Sequence, residues 1–250
     1  MSLVRVEDRG GVGVVTLDRP RANAFDPELV AGLAAGLSEA EGFGGIVLAS
    51  AVPGMFSAGW DLKHLVAQER PAFEAFVRSY VDVVRQLFAC GRPVVAALSG
   101  HAVAGGLIVA AAADERFGAA GRGELGLSEV LLGVSVPACL LEIFRHAIGP
   151  RGMERLAATG ENLSMESALA AGLVDRIVAS DTLLDEAVAR ARFLAERPAA
   201  AYAAVKRRSR AAALARFDQA RTGDGFADLW FSEDAQRRIR ALVEKLTKKS

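Results

Sequence analysis

The segment GHAVAGGLIVAAAAD, residues 100–114, has two adjacent glycines that lead into apolar residues, with no charged side chain before Asp114. It follows the apolar run 93–98, which predicts a buried strand, and its own pattern predicts a helix. The first N–H groups of a helix have no partner inside the helix, and glycine lets a ligand approach the backbone closely. The Gly105 N–H is therefore predicted to donate to an anion or a developing oxyanion. The alternative is that the glycines serve only a tight turn between strand and helix.

A second segment, PGMFSAGWDLKHL at 53–65, has the same layout after the apolar run 44–50. Small residues come first, and Asp61 is the predicted N-cap of a short helix. The Ala58 N–H is predicted to point into a cleft. Taken alone, this segment is a loop before a capped helix. Two donors from separate strand ends, however, make an oxyanion hole, in which each donor is worth about 10²–10³ in rate.

Several other chemistries lack their sequence signatures. The chain has no GxxxxGK[ST] loop and no G-x-G-x-x-G after its first strand, since GGVG near residue 10 lies in a predicted hairpin turn. No histidine and carboxylate pair has metal-ligand spacing, so no metal and no prosthetic group are expected. The 30 basic and 30 acidic residues give a net charge of zero. Neither nucleic acid nor an anionic membrane is therefore an expected partner.

The predicted compartment is the cytoplasm. The chain has two cysteines, Cys90 and Cys139, which form neither a disulfide framework nor a zinc site, so a reducing compartment is the default. The N-terminal MSLVRVEDRG lacks the long apolar run of a secretion signal. The most apolar stretch, 102–113, is shorter than the about 20 residues that a membrane-spanning helix needs.

Strands alternate with helices along the first three quarters of the chain, which predicts an α/β core with parallel pairing. A hairpin is expected at 3–17, a helix from Asp26 as N-cap with Pro27 at its first position, and an amphipathic helix at 70–90. Further strands are expected at 44–50, 93–98 and 174–179. Helices at 181–196, 198–214 and 232–248 predict a core of residues 1–190 and a C-terminal helical subdomain of residues 191–250.

FSAGWDLK and SGHAVAGGLIVAAAAD together resemble the enoyl-CoA hydratase/isomerase (crotonase) superfamily. The resemblance covers nearly the whole chain, and the order and spacing of its motifs are specific. It includes RPRANAFDPEL, GLSEVLLGV at 126–134, GPRGMERLAATGENLSMESALAAGLVDRIVA and FSEDAQRRIRALVEKL. The resemblance implies a crotonase-like (ClpP/crotonase) spiral of ββα units, with a C-terminal helical region that assembles a homotrimer or a dimer of trimers.

The resemblance also implies a substrate and a site. The substrate is an acyl-CoA thioester, whose coenzyme A is part of the substrate and whose carbonyl lies between the N–H groups of Ala58 and Gly105. The acyl pocket is expected to include Trp60, Leu107 and Ile108, and packing is the alternative role of Trp60. The implied coenzyme A contacts lie in the loop 21–24 and the segment 57–63, namely Arg21, Ala22, Ala24, Ser57, Ala58, Gly59, Asp61 and Lys63.

The predicted reaction depends on two positions. Hydratases of this family use two glutamates, and the first of these positions is Ile108 in this chain, while the second is Glu129. One base suffices for a proton shuttle from C2 to C4, which converts a 3-enoyl-CoA into a 2-enoyl-CoA. An apolar wall at Leu107 and Ile108 would exclude water and raise the pKa of Glu129. The pattern therefore favours the isomerase reaction, with Glu129 as the catalytic base.

Three alternatives stay open at this point. The chain could be an enoyl-CoA hydratase with an atypical site. It could be a decarboxylase or a hydrolase of the same fold. A protein of a different class, which binds acyl-CoA without catalysis, would bind coenzyme A tightly and exchange no α-proton.

Overall fold

A computed structural model describes residues 2–121, 123–221 and 225–248 of the chain. Its strands are β1 (Val4–Asp8), β2 (Val12–Leu17), β3 (Gly45–Ser50), β4 (Met55–Ser57), β5 (Val94–Leu98), β6 (His101–Val103), β7 (Glu115–Ala119), β8 (Glu124–Gly126), β9 (Leu163–Ser164) and β10 (Arg176–Val178). Its α-helices are α1 (Pro27–Ala40), α2 (Leu62–Leu65), α3 (Arg70–Ala89), α4 (Gly105–Ala111), α5 (Ala138–Thr159), α6 (Met165–Ala170), α7 (Leu183–Ala195), α8 (Ala199–Gln219), α9 (Phe226–Trp230) and α10 (Glu233–Lys248). Residues Glu129–Leu132 form a short 3₁₀ helix.

The larger sheet has the strand order β1-β2-β3-β5-β7-β10. The hairpin β1-β2 is antiparallel, and the other pairs are parallel. Side chains alternate between faces along a strand, and both faces are buried, so these strands read as nearly continuous apolar runs. In β3, for example, Val47 faces the apolar cluster under α7, whereas Ile46 and Leu48 face the main core. The predicted α/β core with parallel pairing is confirmed.

The smaller sheet has the strand order β4-β6-β8-β9, in which β4, β6 and β8 run parallel. Met55 pairs with His101, and Val103 pairs with Gly126. Because parallel neighbours end at the same edge, the chain after each of these strands emerges at one place. Those three continuations are residues 58–60, 104–105 and 128–129, so the sheet brings three distant segments together.

The predicted strands and the starts of the predicted helices agree with the structure to within two residues, except after β5. Asp26 caps α1, since its carboxylate accepts the Leu29 N–H at 2.9 Å. The sequence predicted that the helix of residues 100–114 follows β5 directly. Residues 101–103 instead form strand β6, because β4 and β8 offer it a hydrogen-bonding edge on each side. The helix consequently begins only at Gly105.

The C-terminal helices pack into the main core. Residue 190, after which the sequence placed a domain boundary, lies inside the continuous helix α7, whose buried face covers the larger sheet. Phe217 of α8, Trp230 of α9 and Ile239 of α10 join the same core cluster as α3 and α4. Within the described ranges, the segment 191–250 therefore has no core of its own. No helix in those ranges is long and apolar enough to cross a membrane.

Candidate active site

The first predicted donor, the Ala58 N–H, is already engaged within the protein. It donates to the carbonyl oxygen of Ala22 at 2.9 Å. Positive φ angles at Arg21 (76°) and Asn23 (47°) shape the loop that presents this carbonyl. The fully buried Asn23 side chain fixes the loop, since its Nδ2 donates to Phe56 O at 2.9 Å. The prediction that Ala58 supplies an oxyanion donor is therefore wrong.

The free main-chain N–H of this segment belongs to Trp60, two residues later. Phe25 N–H donates to Gly59 O at 2.7 Å, and Asp61 N–H donates to Phe25 O at 2.8 Å. In this parallel bridge between Phe25 and Trp60, the N–H of Trp60 itself is directed away from Phe25. Among the described residues, no atom accepts a hydrogen bond from it.

The second predicted donor, Gly105, follows a residue with strained backbone. Ala104 has φ 49° and ψ −128°, and it is held there by its N–H, which donates to Gly126 O at 2.8 Å. Such strain in a residue other than glycine costs about 1–3 kcal/mol and is concentrated at functional sites. Gly105 then begins α4, and its N–H finds no acceptor in the described part of the chain.

The two segments touch, and both need glycine. A Cβ atom on Gly105 would lie 2.7 Å from Cδ1 of Trp60, and one on Gly59 would lie 3.0 Å from the Gly105 nitrogen. The carbonyl of Gly105 accepts the hydroxyl of Tyr80, which is fully buried. The free N–H groups of Trp60 and Gly105 are thus held side by side on rigid backbone.

Glu129 begins the 3₁₀ helix after β8, on the third of the converging segments. Its Oε2 is buried and has no hydrogen-bond partner. Burial raises the pKa of Glu129 to about 7, against a smaller lowering by its own backbone N–H. Burial raises the pKa of the Tyr80 hydroxyl, and the charge of Glu129 raises it further. Tyr80 and Glu129 are therefore close enough to interact electrostatically.

A cavity of about 560 Å³ joins these groups. Ten of the residues predicted from the sequence line it, namely Arg21, Ala22, Ala24, Ala58, Trp60, Asp61, Lys63, Gly105, Ile108 and Glu129. Ile108 is buried, and Asp61 is the second acid in the lining. Both carboxylate oxygens of Asp61 are occupied, one by the His64 N–H at 3.0 Å and one by Arg19 at 3.0 Å. Glu129 is therefore the one lining acid of the described residues with an oxygen left free.

Three predicted site residues do not line this cavity: Ser57, Gly59 and Leu107. The Ser57 hydroxyl is turned inward, where it donates to Asn23 O at 2.7 Å and accepts the Gly59 N–H at 3.1 Å. Leu107 is fully buried in the core on another face of α4 from Ile108. The predictions for Ser57 and Leu107 are wrong because strand and helix periodicity turn adjacent side chains in different directions.

Sequence reasoning missed Arg19, which ties the loop 20–24 to the site. Its guanidinium donates to Ala24 O at 2.9 Å, to Asp26 at 2.7 Å and to Asp61 at 3.0 Å. These two aspartates are the N-caps of α1 and α2. The available signal was the capping role of both aspartates, which leaves each with one carboxylate oxygen for a shared cation.

Aromatic residues and the last helix complete the cavity. Trp60 makes edge or tilted contacts with five other aromatic rings, those of Phe73, Phe76, Tyr80, Phe226 and Trp230. The C-terminal helix α10 adds Leu242, Val243 and Leu246 to the lining. Their spacing of one, three and four residues marks one face of a helix, and that was the signal in the sequence.

Comparison with known proteins identifies the family and the fold of this chain. A family model described as enoyl-CoA hydratase/isomerase matches residues 7–249. Mitochondrial enoyl-CoA delta isomerase 1 of Mus musculus is 30% identical over 189 residues, which are 74% of this chain and 65% of that protein. The chain therefore spans slightly less than two thirds of that relative. Carnitinyl-CoA dehydratase of Salmonella arizonae is 30% identical over 206 residues, or 81% of this chain and 78% of that protein.

The whole fold also matches a solved structure. The crystal structure of human mitochondrial delta3-delta2-enoyl-CoA isomerase has a TM-score of 0.93 with 28% sequence identity, and 99% of each chain is covered. The predicted crotonase-like fold is thereby confirmed. At this level of identity, the relatives include both isomerases and a dehydratase, so the reaction must be argued from the site.

Proposed function

We propose that this chain, which belongs to the enoyl-CoA hydratase/isomerase family, moves the double bond of a 3-enoyl-CoA to position 2. The observation that carries the proposal is a single free carboxylate, Glu129, beside two unengaged main-chain N–H groups, with Ile108 in the lining. The proposed activity is that of an enoyl-CoA isomerase.

The proposed oxyanion donors are the N–H groups of Trp60 and Gly105. Both are free within the described residues, and the two segments are in contact. A thioester oxygen between them gains negative charge when the C2 proton leaves, and donors fixed in advance stabilise that charge without reorganising. The Gly105 donor is retained from the sequence prediction, and Trp60 replaces Ala58.

The proposed shuttle uses Glu129 twice. Its carboxylate takes the proton from C2, and the C–H electrons form an enolate whose charge lies on the thioester oxygen. The enolate then re-forms the carbonyl with a C2–C3 double bond, while the C3–C4 π electrons take the proton back from Glu129 at C4. No atom is gained or lost. A pKa of about 7 suits a group that must both accept and return a proton near neutral pH.

The coenzyme A part is proposed to lie at the mouth of the cavity. Arg21 and Lys63 are exposed and line it, and they offer cations to the phosphates. Arg19 holds the loop that carries Arg21 and is itself occupied by two aspartates. Coenzyme A thus belongs to the substrate in this proposal, as the family resemblance implied.

The alternative reactions fit the site less well. Hydration by a glutamate pair would need a second free acid, but Asp61 is bound to Arg19. Decarboxylation would bring a carboxylate into an apolar interior that already contains Glu129, where burial of an unpaired charge is costly. A non-catalytic acyl-CoA binder has no need for a strained Ala104 and a buried acid, both of which reduce stability.

The test is incubation with trans-3-hexenoyl-CoA and, in parallel, crotonyl-CoA. Absorbance of the conjugated thioester and product mass are followed. Rapid conjugation of the first substrate with little hydration of the second is the expected result. Fast hydration of crotonyl-CoA with slow conjugation would support the hydratase, and release of CO₂ from a carboxylated acyl thioester would support the decarboxylase. Tight coenzyme A binding without turnover of any substrate would support the binding protein.

The proposed assembly remains a homotrimer or a dimer of trimers, in the cytoplasm. Exposed apolar side chains support association between copies: Val130, Leu131 and Leu229 are 42%, 58% and 44% exposed. Val130 and Leu229 also line a second apolar groove beside the 3₁₀ helix. Sedimentation analysis of the purified chain tests the assembly, and a monomer at micromolar concentration would contradict it.

A further inference from the structure

Tyr80 on α3 lies behind the cavity, and the proposed reaction does not use it. It is fully buried and is not one of the lining residues. Its hydroxyl nevertheless donates a hydrogen bond to Gly105 O, in the residue that supplies one proposed oxyanion donor. Gly105 begins α4, so its carbonyl already accepts the regular helical hydrogen bond from residue 109. The bond from Tyr80 is additional to the helical one, and it holds Gly105 from a second helix.

The peptide group that carries the Gly105 N–H follows a strained residue. Ala104 has φ 49° and ψ −128°, and a conformation of this kind persists only where the surroundings hold it. Hydrogen bonds from other elements bracket this residue. The Ala104 N–H donates to Gly126 O at 2.8 Å on one side, and Tyr80 binds Gly105 O on the other. Loss of the Tyr80 bond would free one end of the strained turn, and the Gly105 N–H could then change direction.

The same tyrosine also contacts the residue that supplies the second proposed donor. The Trp60 ring lies edge-on to the Tyr80 ring, with centroids 5.3 Å apart and an interplanar angle of 78°. A Cβ atom on Gly105 would lie 2.9 Å from Trp60 Nε1 and 3.1 Å from Tyr80 Oη, so both side chains enclose the α-carbon of Gly105. Phe25, which hydrogen bonds to the main chain on both sides of Trp60, packs edge-on against Tyr80 at 5.5 Å. Tyr80 thus touches both donor segments.

The Tyr80 hydroxyl keeps its proton throughout the neutral pH range. Burial raises the pKa of Tyr80 well above its ordinary value, and the charge of Glu129 raises it further. A neutral phenol can donate to Gly105 O, whereas a phenolate would be repelled by that carbonyl and by the Glu129 carboxylate.

We propose that Tyr80 is a positioning residue of the oxyanion hole: its hydroxyl, bound to Gly105 O, and its ring, packed on Trp60, hold the two main-chain donors at a fixed spacing. This inference rests on the proposed acyl-CoA site and adds to it a residue that does not touch the substrate. Donors that are fixed in advance stabilise the developing charge without reorganising. A loosened pair of donors therefore affects the transition state more than the binding of substrate.

Tyr80→Phe removes the hydroxyl and keeps the ring. We expect kcat for trans-3-hexenoyl-CoA to fall about 10-fold, less than the roughly 10²–10³ for loss of a whole donor. KM should change far less than kcat. The pH at which kcat/KM is half-maximal should stay near 7, because burial raises the pKa of Glu129 to about 7.

Tyr202→Phe is the matched control, because the chain has two tyrosines. Tyr202 is half-buried, does not line the cavity, and interacts through its hydroxyl with Asp114 at the far end of α4. Tyr202→Phe should therefore keep the wild-type kcat.

The carbonyl stretch of a bound thioester reports on the two donors without any turnover. Octanoyl-CoA with an isotope label at its carbonyl carbon is bound at saturation, and its infrared band is compared with that of the free thioester. Hydrogen bonds weaken a C=O bond and lower its frequency. We expect a lowered frequency in the wild type and in Tyr202→Phe, and a smaller lowering in Tyr80→Phe. Only folded protein binds the label, so a loss of stability does not imitate this effect.

A fluorine NMR measurement covers the case in which Tyr80→Phe does not fold. Replacing both tyrosines by 3-fluorotyrosine gives two signals, which Tyr202→Phe assigns. Octanoyl-CoA and its thioether analogue S-octyl-CoA carry the same chain length, but only the first has a carbonyl for the two donors. The Tyr80 signal should differ between the two bound ligands, and the Tyr202 signal should not.

The proposal is overturned if the carbonyl band in Tyr80→Phe equals that in Tyr202→Phe, or if the Tyr80 fluorine signal does not distinguish the two ligands. A smaller carbonyl shift in Tyr80→Phe, in a protein that does not isomerise 3-hexenoyl-CoA, would keep this inference and reject the isomerase. Isomerisation with the same carbonyl band in the wild type and both variants would keep the isomerase and reject this inference.

Discussion

The two ends of helix α4 treat buried polar groups in opposite ways. At the N-terminal end, the N–H groups of Gly105 and Trp60 are free among the described residues, and Glu129 Oε2 is buried without a partner. At the C-terminal end, Asp114 accepts hydrogen bonds from Lys206 at 2.7 Å, from Arg210 at 2.8 Å and from the Val94 N–H at 2.7 Å. The segment 105–114 therefore has polar groups without hydrogen-bond partners at its N-terminal end, whereas the carboxylate at its C-terminal end is fully paired.

Arg210 connects the C-terminal end of α4, where the polar groups are paired, to the N-terminal end, where they are not. Its guanidinium donates to Phe88 O at 2.7 Å, and to Ala112 O and Ala113 O at 3.2 Å each. Phe88 lies in the last turn of α3, the helix that carries Tyr80, whose hydroxyl binds Gly105 O. The cluster around Asp114 thus holds both helices that set the position of Gly105. Stabilising ion pairs and hydrogen bonds are therefore concentrated at the C-terminal end of α4. The N-terminal end can then keep polar groups unpaired for a ligand.

Among substitutions at the N-terminal end of α4, Glu129→Gln should have the largest effect on catalysis. The amide keeps the shape of the side chain but cannot take the C2 proton. We expect kcat for 3-hexenoyl-CoA to fall by about 10³–10⁴, within the range of general base catalysis. The measurement is steady-state kinetics, with exchange of the C2 proton in D₂O as a second readout. A loss of less than 10-fold would show that another group is the base.

At the C-terminal end of α4, Asp114→Asn should have the largest effect on the free energy of unfolding. It leaves the Lys206 and Arg210 charges buried with no counterion, and removing one partner of a buried ion pair costs about 3–5 kcal/mol. We expect the free energy of unfolding to fall by about 4 kcal/mol, measured by urea denaturation. The kcat per folded molecule should change far less than in Glu129→Gln.

Asp218→Asn is the matched control for that loss. Asp218 also pairs with an arginine, Arg85 at 2.6 Å, but both side chains are more than one third exposed. Exposed pairs contribute about 0–1 kcal/mol. Equal losses in the two variants would show that the Asp114 cluster is no more important than a surface ion pair.

Gly105→Ala tests the contact between the two proposed donors. The added methyl group would lie 2.7 Å from Cδ1 of Trp60, so either the ring or the main chain must move. Displacing one oxyanion donor should lower kcat by about 10². Affinity for coenzyme A alone should stay within a few fold, because the proposed phosphate contacts are at Arg21 and Lys63. An unchanged kcat would remove Gly105 from the mechanism.

The sequence predicted most of the fold because the signals were local. Strand-to-helix alternation, the Asp26 cap and the apolar runs each depend on neighbouring residues. The assignment of Gly105 survives for the same reason, since a helix start leaves its first N–H free. Residues 101–103 were missed as a strand because three residues become a strand only when two others supply an edge on each side.

The error at Ala58 has a different cause. Whether a loop N–H is free depends on a carbonyl from elsewhere, here that of Ala22, and no spacing in the segment 53–65 reveals it. The contribution of Arg19 likewise depends on two helix caps that meet only in the folded chain. The sequence can thus identify the motif that contains a free main-chain N–H group. Which residue of the motif carries that free N–H depends on hydrogen bonds formed only in the folded chain.

A second effect of Glu129→Gln is the most specific test of the comparison, because the substitution should stabilise the protein while it removes activity. Burial raises the pKa of Glu129 to about 7 from an ordinary 4.5. Between these values the unfolded chain has released a proton that the folded chain retains, so raising the pH favours unfolding. The penalty is absent below about pH 4.5 and complete above about pH 7.

Glutamine carries no charge and avoids this penalty. The variant should therefore be more stable than wild type by about 2–3 kcal/mol at pH 8, and the gain should vanish near pH 4.5. The measurement is urea denaturation of both proteins at several pH values, and wild-type kcat/KM should rise through pH 7 over the same window as the carboxylate forms. Asp114→Asn must show the reverse, a loss of stability at pH 8. If Glu129→Gln destabilised the protein at pH 8, the carboxylate would be paired in solution, and the contrast between the two ends of α4 would be lost.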